Sequence, residues 1–184
     1  LVGSEMCIRD RSTIGIESKF TEPYSSRKHG GLKQKYVENL SFWNGLPNLY
    51  ELAKEISPDD TKFQYLDAAQ LIKHILGLKK NSDEYNSNLV QKHHFEEGKK
   101  NLILKRNFHL LYLWYDAIGK EGSEHRKEIE QFAEIAKKDN IKFSHITYQE
   151  VIINLSKEFY DENETYCNYL TDRYLSLIHI SEPT

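Results

Sequence analysis

Apolar and polar residues alternate at period two over 13–20, Thr-Ile-Gly-Ile-Glu-Ser-Lys-Phe. This predicts a buried strand with Ile14, Ile16 and Phe20 on one face and Glu17 and Lys19 together on the other. A loop follows from Pro23 to Leu32, with Arg27, Lys28 and His29 beside the pair Gly30-Gly31. Short helices are expected over 36–40 and 49–56. Pro58-Asp59-Asp60-Thr61 reads as a helix start, and Phe63, Leu66, Ala69, Ile72, Ile75 and Leu78 recur as in a mostly buried helix over 61–79. Residues 81–88 read as a polar turn.

Phe108 to Tyr115 is a near-continuous apolar run, the pattern of a central strand covered on both faces. Ser123 is expected to cap a helix over 124–138, with Ile129, Phe132, Ala133 and Ala136 as its inner stripe. Residues 141–146 alternate as a strand. Thr147-Tyr148-Gln149-Glu150 is a capping box that opens another helix, and a separate last helix is expected over 163–175. Strands separated by helices predict an α/β protein with parallel pairing in part.

Composition narrows the class. At 184 residues, with 39% hydrophobic and 29% charged side chains, the chain suits one globular domain rather than a disordered or membrane protein. No apolar run has the length of a membrane span. A net charge of -3 argues against a general polyanion-binding coat but leaves room for a local basic patch. Two cysteines, Cys7 and Cys167, provide no disulfide framework, so a reducing, cytoplasmic setting is expected. The flanks 1–11 and 177–184 have no period that fits their neighbours, and they look like translated sequencing-adapter read-through, a contaminant of metagenomic assemblies. The expected domain is therefore 12–176, incomplete at its N-terminus, with poorly packed flanks.

Two groups of residues suggest chemistry. His93, His94, Glu96 and Glu97 invite a metal reading, but adjacent helical residues diverge by about a hundred degrees, and no further His follows at ligand spacing. Glu17 and Lys19 are the second group. A buried carboxylate and amine must pair or bind something. One use of such a pair is a metal-ligating Glu beside a Lys that handles water and developing phosphate charge. The plain alternative is an ordinary ion pair, since Glu-x-Lys triplets are common by chance. Gln70 and His74, one helical turn apart with Lys73 beside them, are either surface polar residues or part of the same site.

The order of strand with Glu17-Ser18-Lys19, helix with Gln70 and buried strand 108–115 resembles the PD-(D/E)XK nuclease superfamily. Ile16-Glu17-Ser18-Lys19-Phe20-Thr21-Glu22 is similar to the hydrophobic-Glu-x-Lys-Tyr-Thr-Glu signature of a little-characterised prokaryotic branch of restriction-endonuclease-like proteins. Residues 63–78, 112–117, 122–126 and 146–150 also look like that branch.

The resemblance implies a restriction-endonuclease-like α/β fold, a mixed sheet flanked by helices and truncated at the N-terminus. It implies Mg²⁺- or Mn²⁺-dependent hydrolysis of DNA, with Glu17 and the Ser18 carbonyl as metal ligands and Lys19 as the catalytic lysine. Gln70, Lys73 and His74 are weaker candidates for substrate binding. The family also uses an Asp on a preceding strand; Asp10 lies in the suspect flank and is not given that role. The chain itself is therefore expected to be a poor nuclease or none. The alternative is a non-catalytic nucleic-acid-binding or interaction domain that keeps the fold.

Overall fold

The computed structural model describes residues 12–25, 29–93 and 107–175, excluding the side chains of 89–93. Its strands are β1 (Ser12–Lys19), β2 (Asn107–Trp114) and β3 (Phe143–Thr147). Its helices are α1 (Gln34–Glu38), α2 (Pro47–Glu55), α3 (Ala68–His93), α4 (Lys120–Lys138) and α5 (Tyr148–Leu170). Among the described residues the sheet has the order β1-β2-β3, and both pairings are parallel. Glu17 registers with Tyr112 and Lys19 with Trp114. This is the expected α/β arrangement, a restriction-endonuclease-like sheet with helices packed against it.

β2 is the middle strand, as its apolar run predicts. Leu110, Tyr112 and Trp114 are fully buried, whereas Leu111 and Leu113 on the other face are only half-buried. The expectation of full cover on both faces is thus met on one.

β1 departs further from expectation. It is the edge of the described sheet, and its inner face is the polar one: Ile14 and Ile16 are 60% and 61% exposed, while Glu17 is 8% exposed. The cause is α3, which crosses on the Glu17 side. A Cβ on Gly15 would stand 2.8 Å from Leu78 Cδ1, so glycine at this position lets α3 approach the strand closely.

Tertiary contacts also move the start of α3. The predicted helix at 61–79 begins only at Ala68, because the preceding backbone is claimed from outside. The Glu128 carboxylate accepts hydrogen bonds from the amides of Gln64, Tyr65 and Leu66 at 2.8, 2.9 and 2.8 Å. Asp60 Oδ1 takes those of Lys62 and Phe63. Asp67 then caps the helix, its Oδ1 accepting from Gln70 N at 2.8 Å.

At its other end α3 runs straight through 81–88, correcting the polar turn. The i,i+4 pairs Lys79–Asp83 and Lys80–Glu84 support the helix there. α4 starts at Lys120 behind Gly119 (φ 95°), so Ser123 lies inside the first turn instead of capping it. The Thr147–Glu150 capping box forms in both directions, at 3.0 and 2.8 Å. The separate helix expected at 163 is continuous with α5 across a kink at Asn163, followed by a π turn at Thr171–Leu175.

The core lies between the sheet and helices α2, α3 and α4. Leu49, Ala53, Leu71, Ile72, Ile75, Tyr112, Trp114, Ile129, Phe132 and Ala136 are all nearly or fully buried there. Asp139, just after α4, ties the core to α2 by accepting from the amides of Asn48 and Leu49 at 3.1 and 2.8 Å. No helix among the described residues is long and apolar enough to cross a membrane.

Candidate active site

Period two puts Glu17 and Lys19 on one side of β1, and α3 supplies their partners. Lys19 Nζ lies 3.3 Å from Glu17 Oε1 and donates to Gln70 Oε1 at 3.0 Å. His74 Nε2, one helical turn beyond Gln70, lies 2.8 Å from Glu17 Oε2. Glu17, Lys19, Gln70 and His74 therefore form one cluster across the β1–α3 interface. Both carboxylate oxygens are engaged, and the ammonium is held between a carboxylate and an amide.

Two further candidates lie elsewhere. Lys73 is exposed on another face of α3, in a groove of about 450 Å³ with Tyr36, Phe42 and Leu76. The Ser18 side chain points to the opposite side of β1, where its hydroxyl meets Tyr148 Oη at 2.5 Å. Only the backbone of Ser18 could serve the cluster. The candidate zinc residues His94, Glu96 and Glu97, and the side chain of His93, lie outside the described residues, as do Arg27 and Lys28. Gly31 has a packing role: a Cβ there would meet the Ile56 carbonyl oxygen at 1.9 Å.

Lys19 is 20% exposed and opens into a cavity of about 700 Å³, also lined by Thr21, Glu22, His29, Tyr65, Asp67 and Tyr112. The cavity lies at the C-terminal end of β1, the end where open α/β sheets bind ligands. A turn at Glu22–Tyr24 shapes its rim, with Glu22 Oε2 accepting from Phe20 N at 2.8 Å. That turn's own backbone hydrogen bonds hold the Glu22 carboxyl below the usual range.

Sequence reasoning found no role for a second group, which adjoins the cavity. Tyr24 Oη donates to the Tyr115 carbonyl at 2.7 Å and lies 3.0 Å from His125 Nδ1. The other ring nitrogen of His125 lies 3.2 Å from Tyr112 Oη. His125 is fully buried, with the Trp114 ring edge-on at 4.9 Å. Burial lowers its pKa to about 4 and raises that of Tyr24 to about 12. Next to it, Arg126 pairs with Asp116, and Gln149 Nε2 donates to the Asp116 carbonyl at 2.8 Å. The 22–24, 112–117, 122–126 and 146–150 stretches are distant in sequence but form one hydrogen-bonded assembly. Their available signal was the polar residues set among apolar ones at Tyr112 and Asp116; His125, in the polar run 123–128, carried none.

The metal reading meets an incomplete donor set. Mg²⁺ takes several oxygen ligands in near-octahedral geometry. Among the described residues no group of three or more His, Cys, Asp or Glu side chains gathers as metal ligands. Glu17 and the Ser18 carbonyl are donors of the right type, but alone they do not make a site.

No curated protein and no solved structure matches the chain. A family model does match, over residues 5–175, nearly the whole chain and every element described above. The chain belongs to the family described as restriction endonuclease associating with ARP, and is thus restriction-endonuclease-like.

Proposed function

We propose that the Glu17–Lys19 cluster is a phosphodiester-hydrolysing site that acts on DNA, in a single domain spanning about residues 12–176. One observation carries the reading: Lys19, which lines the cavity of about 700 Å³, is fixed by Glu17 and Gln70 at the end of β1. Hydrolysis of a phosphodiester places extra negative charge on the phosphate oxygens in the transition state, and a preorganised cation lowers that barrier. Two partners on two elements hold Lys19 where it would meet such a charge, and its partial exposure leaves it accessible.

Family membership supports nuclease chemistry. Mg²⁺ or Mn²⁺, when bound, would supply charge neutralisation and acidify a water. Glu17 and the Ser18 carbonyl are the described atoms suited to hold it. With these two donors alone, affinity would be weak and cleavage slow except at millimolar metal. The sparse donor set among the described residues is what favours the alternative, a domain that binds nucleic acid without cutting it.

The test is plasmid cleavage by the chain at rising Mn²⁺ and Mg²⁺, with chelator and Lys19→Ala controls. Chelator-sensitive cutting that Lys19→Ala abolishes supports hydrolysis. Retained DNA binding without cutting at any metal concentration selects the alternative.

A further inference from the structure

The buried Tyr24–His125–Tyr112 chain has a direction that proton counting reveals. Tyr24 has one hydroxyl proton and donates it to the Tyr115 carbonyl. Toward His125 Nδ1 its oxygen must therefore accept, and the Ala117 amide donates to the same oxygen at 3.4 Å. His125 consequently carries its proton on Nδ1 and is bare at Nε2. Tyr112, across from that bare nitrogen, donates to it. Tyr112 keeps this single proton, because burial above all, with Tyr24, Glu17, Asp67 and Glu22 nearby, raises its pKa. The Tyr112 oxygen is left with acceptor capacity only, on a residue that lines the Lys19 cavity and registers beside Glu17.

The surroundings hold this arrangement rigid. A Cβ on Gly122 would stand 1.8 Å from the Ala117 carbonyl oxygen, so the turn leading into α4 closes only with glycine. Arg126 and Gln149 clamp Asp116 in that turn. Tyr65 and Trp114 pack their rings against His125.

We propose that His125, as the Nδ1–H tautomer, is a positioning residue that turns the Tyr112 hydroxyl oxygen into a fixed acceptor in the Lys19 cavity, where it takes one O–H of the attacking water. The role rests on the hydrolytic reading of the cavity; the tautomer and the polarity of the chain do not. An acceptor orients a water so that its lone pair faces the phosphate held near Lys19, an entropic and alignment effect of about ten- to a hundredfold in rate.

Two measurements test this. Nitrogen-15 NMR of the histidine-labelled chain should show His125 as neutral Nδ1–H at pH 7 and still neutral at pH 5. An Nε2–H ring, or ordinary titration near 6.5, overturns the inference whatever the protein cuts. In the cleavage assay, Tyr112→Phe should lower kcat about ten- to a hundredfold with KM for DNA unchanged. His125→Leu should match it. His125→Gln, which can donate to Tyr24 and accept from Tyr112, should restore most of the rate. Full activity of Tyr112→Phe beside an inactive Lys19→Ala overturns this inference alone. Unchanged cutting by Lys19→Ala, or no cutting by the parent chain with either metal, overturns the functional reading and this role with it.

Discussion

His74 Nε2 and Glu17 Oε2 meet at 2.8 Å, joining α3 to β1 at the one buried carboxylate of the site. A metal ion bound by Glu17 competes with this contact for the same oxygen lone pairs. His74→Ala should therefore tighten Mn²⁺ binding, by about fivefold if the displaced hydrogen bond is worth about 1 kcal/mol. Isothermal titration of both proteins checks it. Weaker binding in the variant would make His74 a ligand instead of a competitor.

Lys19 and Glu17 should dominate activity without dominating stability. Lys19→Ala should lower kcat by about a hundred- to a thousandfold, the loss typical of one preorganised electrostatic group. Glu17→Gln should be similarly impaired in cleavage. Their cluster is partly open to solvent, so each substitution should change stability by only about 1 kcal/mol. Cleavage kinetics and thermal unfolding of the same preparations separate the two effects.

The stability of the fold should carry a signature of His125. Burial lowers its pKa to about 4 in the folded protein, against 6.5 for an unperturbed histidine. The unfolded chain thus binds the extra proton first as pH falls. The contribution is fully present above 6.5, declines from there, and is gone once pH has fallen through about 4. The full span is worth about 3 kcal/mol at most. Denaturant melts of parent and His125→Gln across this window should diverge by one proton. Parallel curves would show that His125 does not titrate on unfolding.

Two backbone-level contacts should prove costly to break. Asp139→Ala leaves the amides of Asn48 and Leu49 without their acceptor at the start of α2, and should destabilise by about 1–2 kcal/mol. Gly122→Ala forces a methyl against a backbone carbonyl, and should cost more, about 2–4 kcal/mol. Urea unfolding measures both. The second variant should also lose the His125 tautomer signal, since the same turn holds Ala117 against Tyr24.

The chain's local patterns made several features legible. Period two is a property of any strand, so Glu17 and Lys19 had to share a side. The apolar run at 108–115 had to lie in the middle of the sheet, because both of its faces carry side chains that water disfavours. Thr147 and Glu150 are three residues apart and satisfy each other's backbone within one turn, needing nothing distant. Those features depend on neighbours in sequence.

The sequence did not determine which side of β1 would be covered. Alternation is symmetric, and Ile14 and Ile16 outweigh Glu17 and Lys19 on any hydrophobic scale, yet α3 packs on the polar side, over Gly15. Nor did it determine where α3 begins, because Glu128, sixty residues away, takes the amides that a helix at 61–67 would have used. Gln70 and His74 gained partners, and Lys73 none in the cluster, through the rotation of α3 about its axis, which its contacts across the core set. The direction of the His125 hydrogen bonds depends on Tyr24, the Tyr112–Tyr115 stretch and His125 itself meeting from three segments. Local patterns specify which residues share a face; which faces meet is decided by the packing of the whole chain.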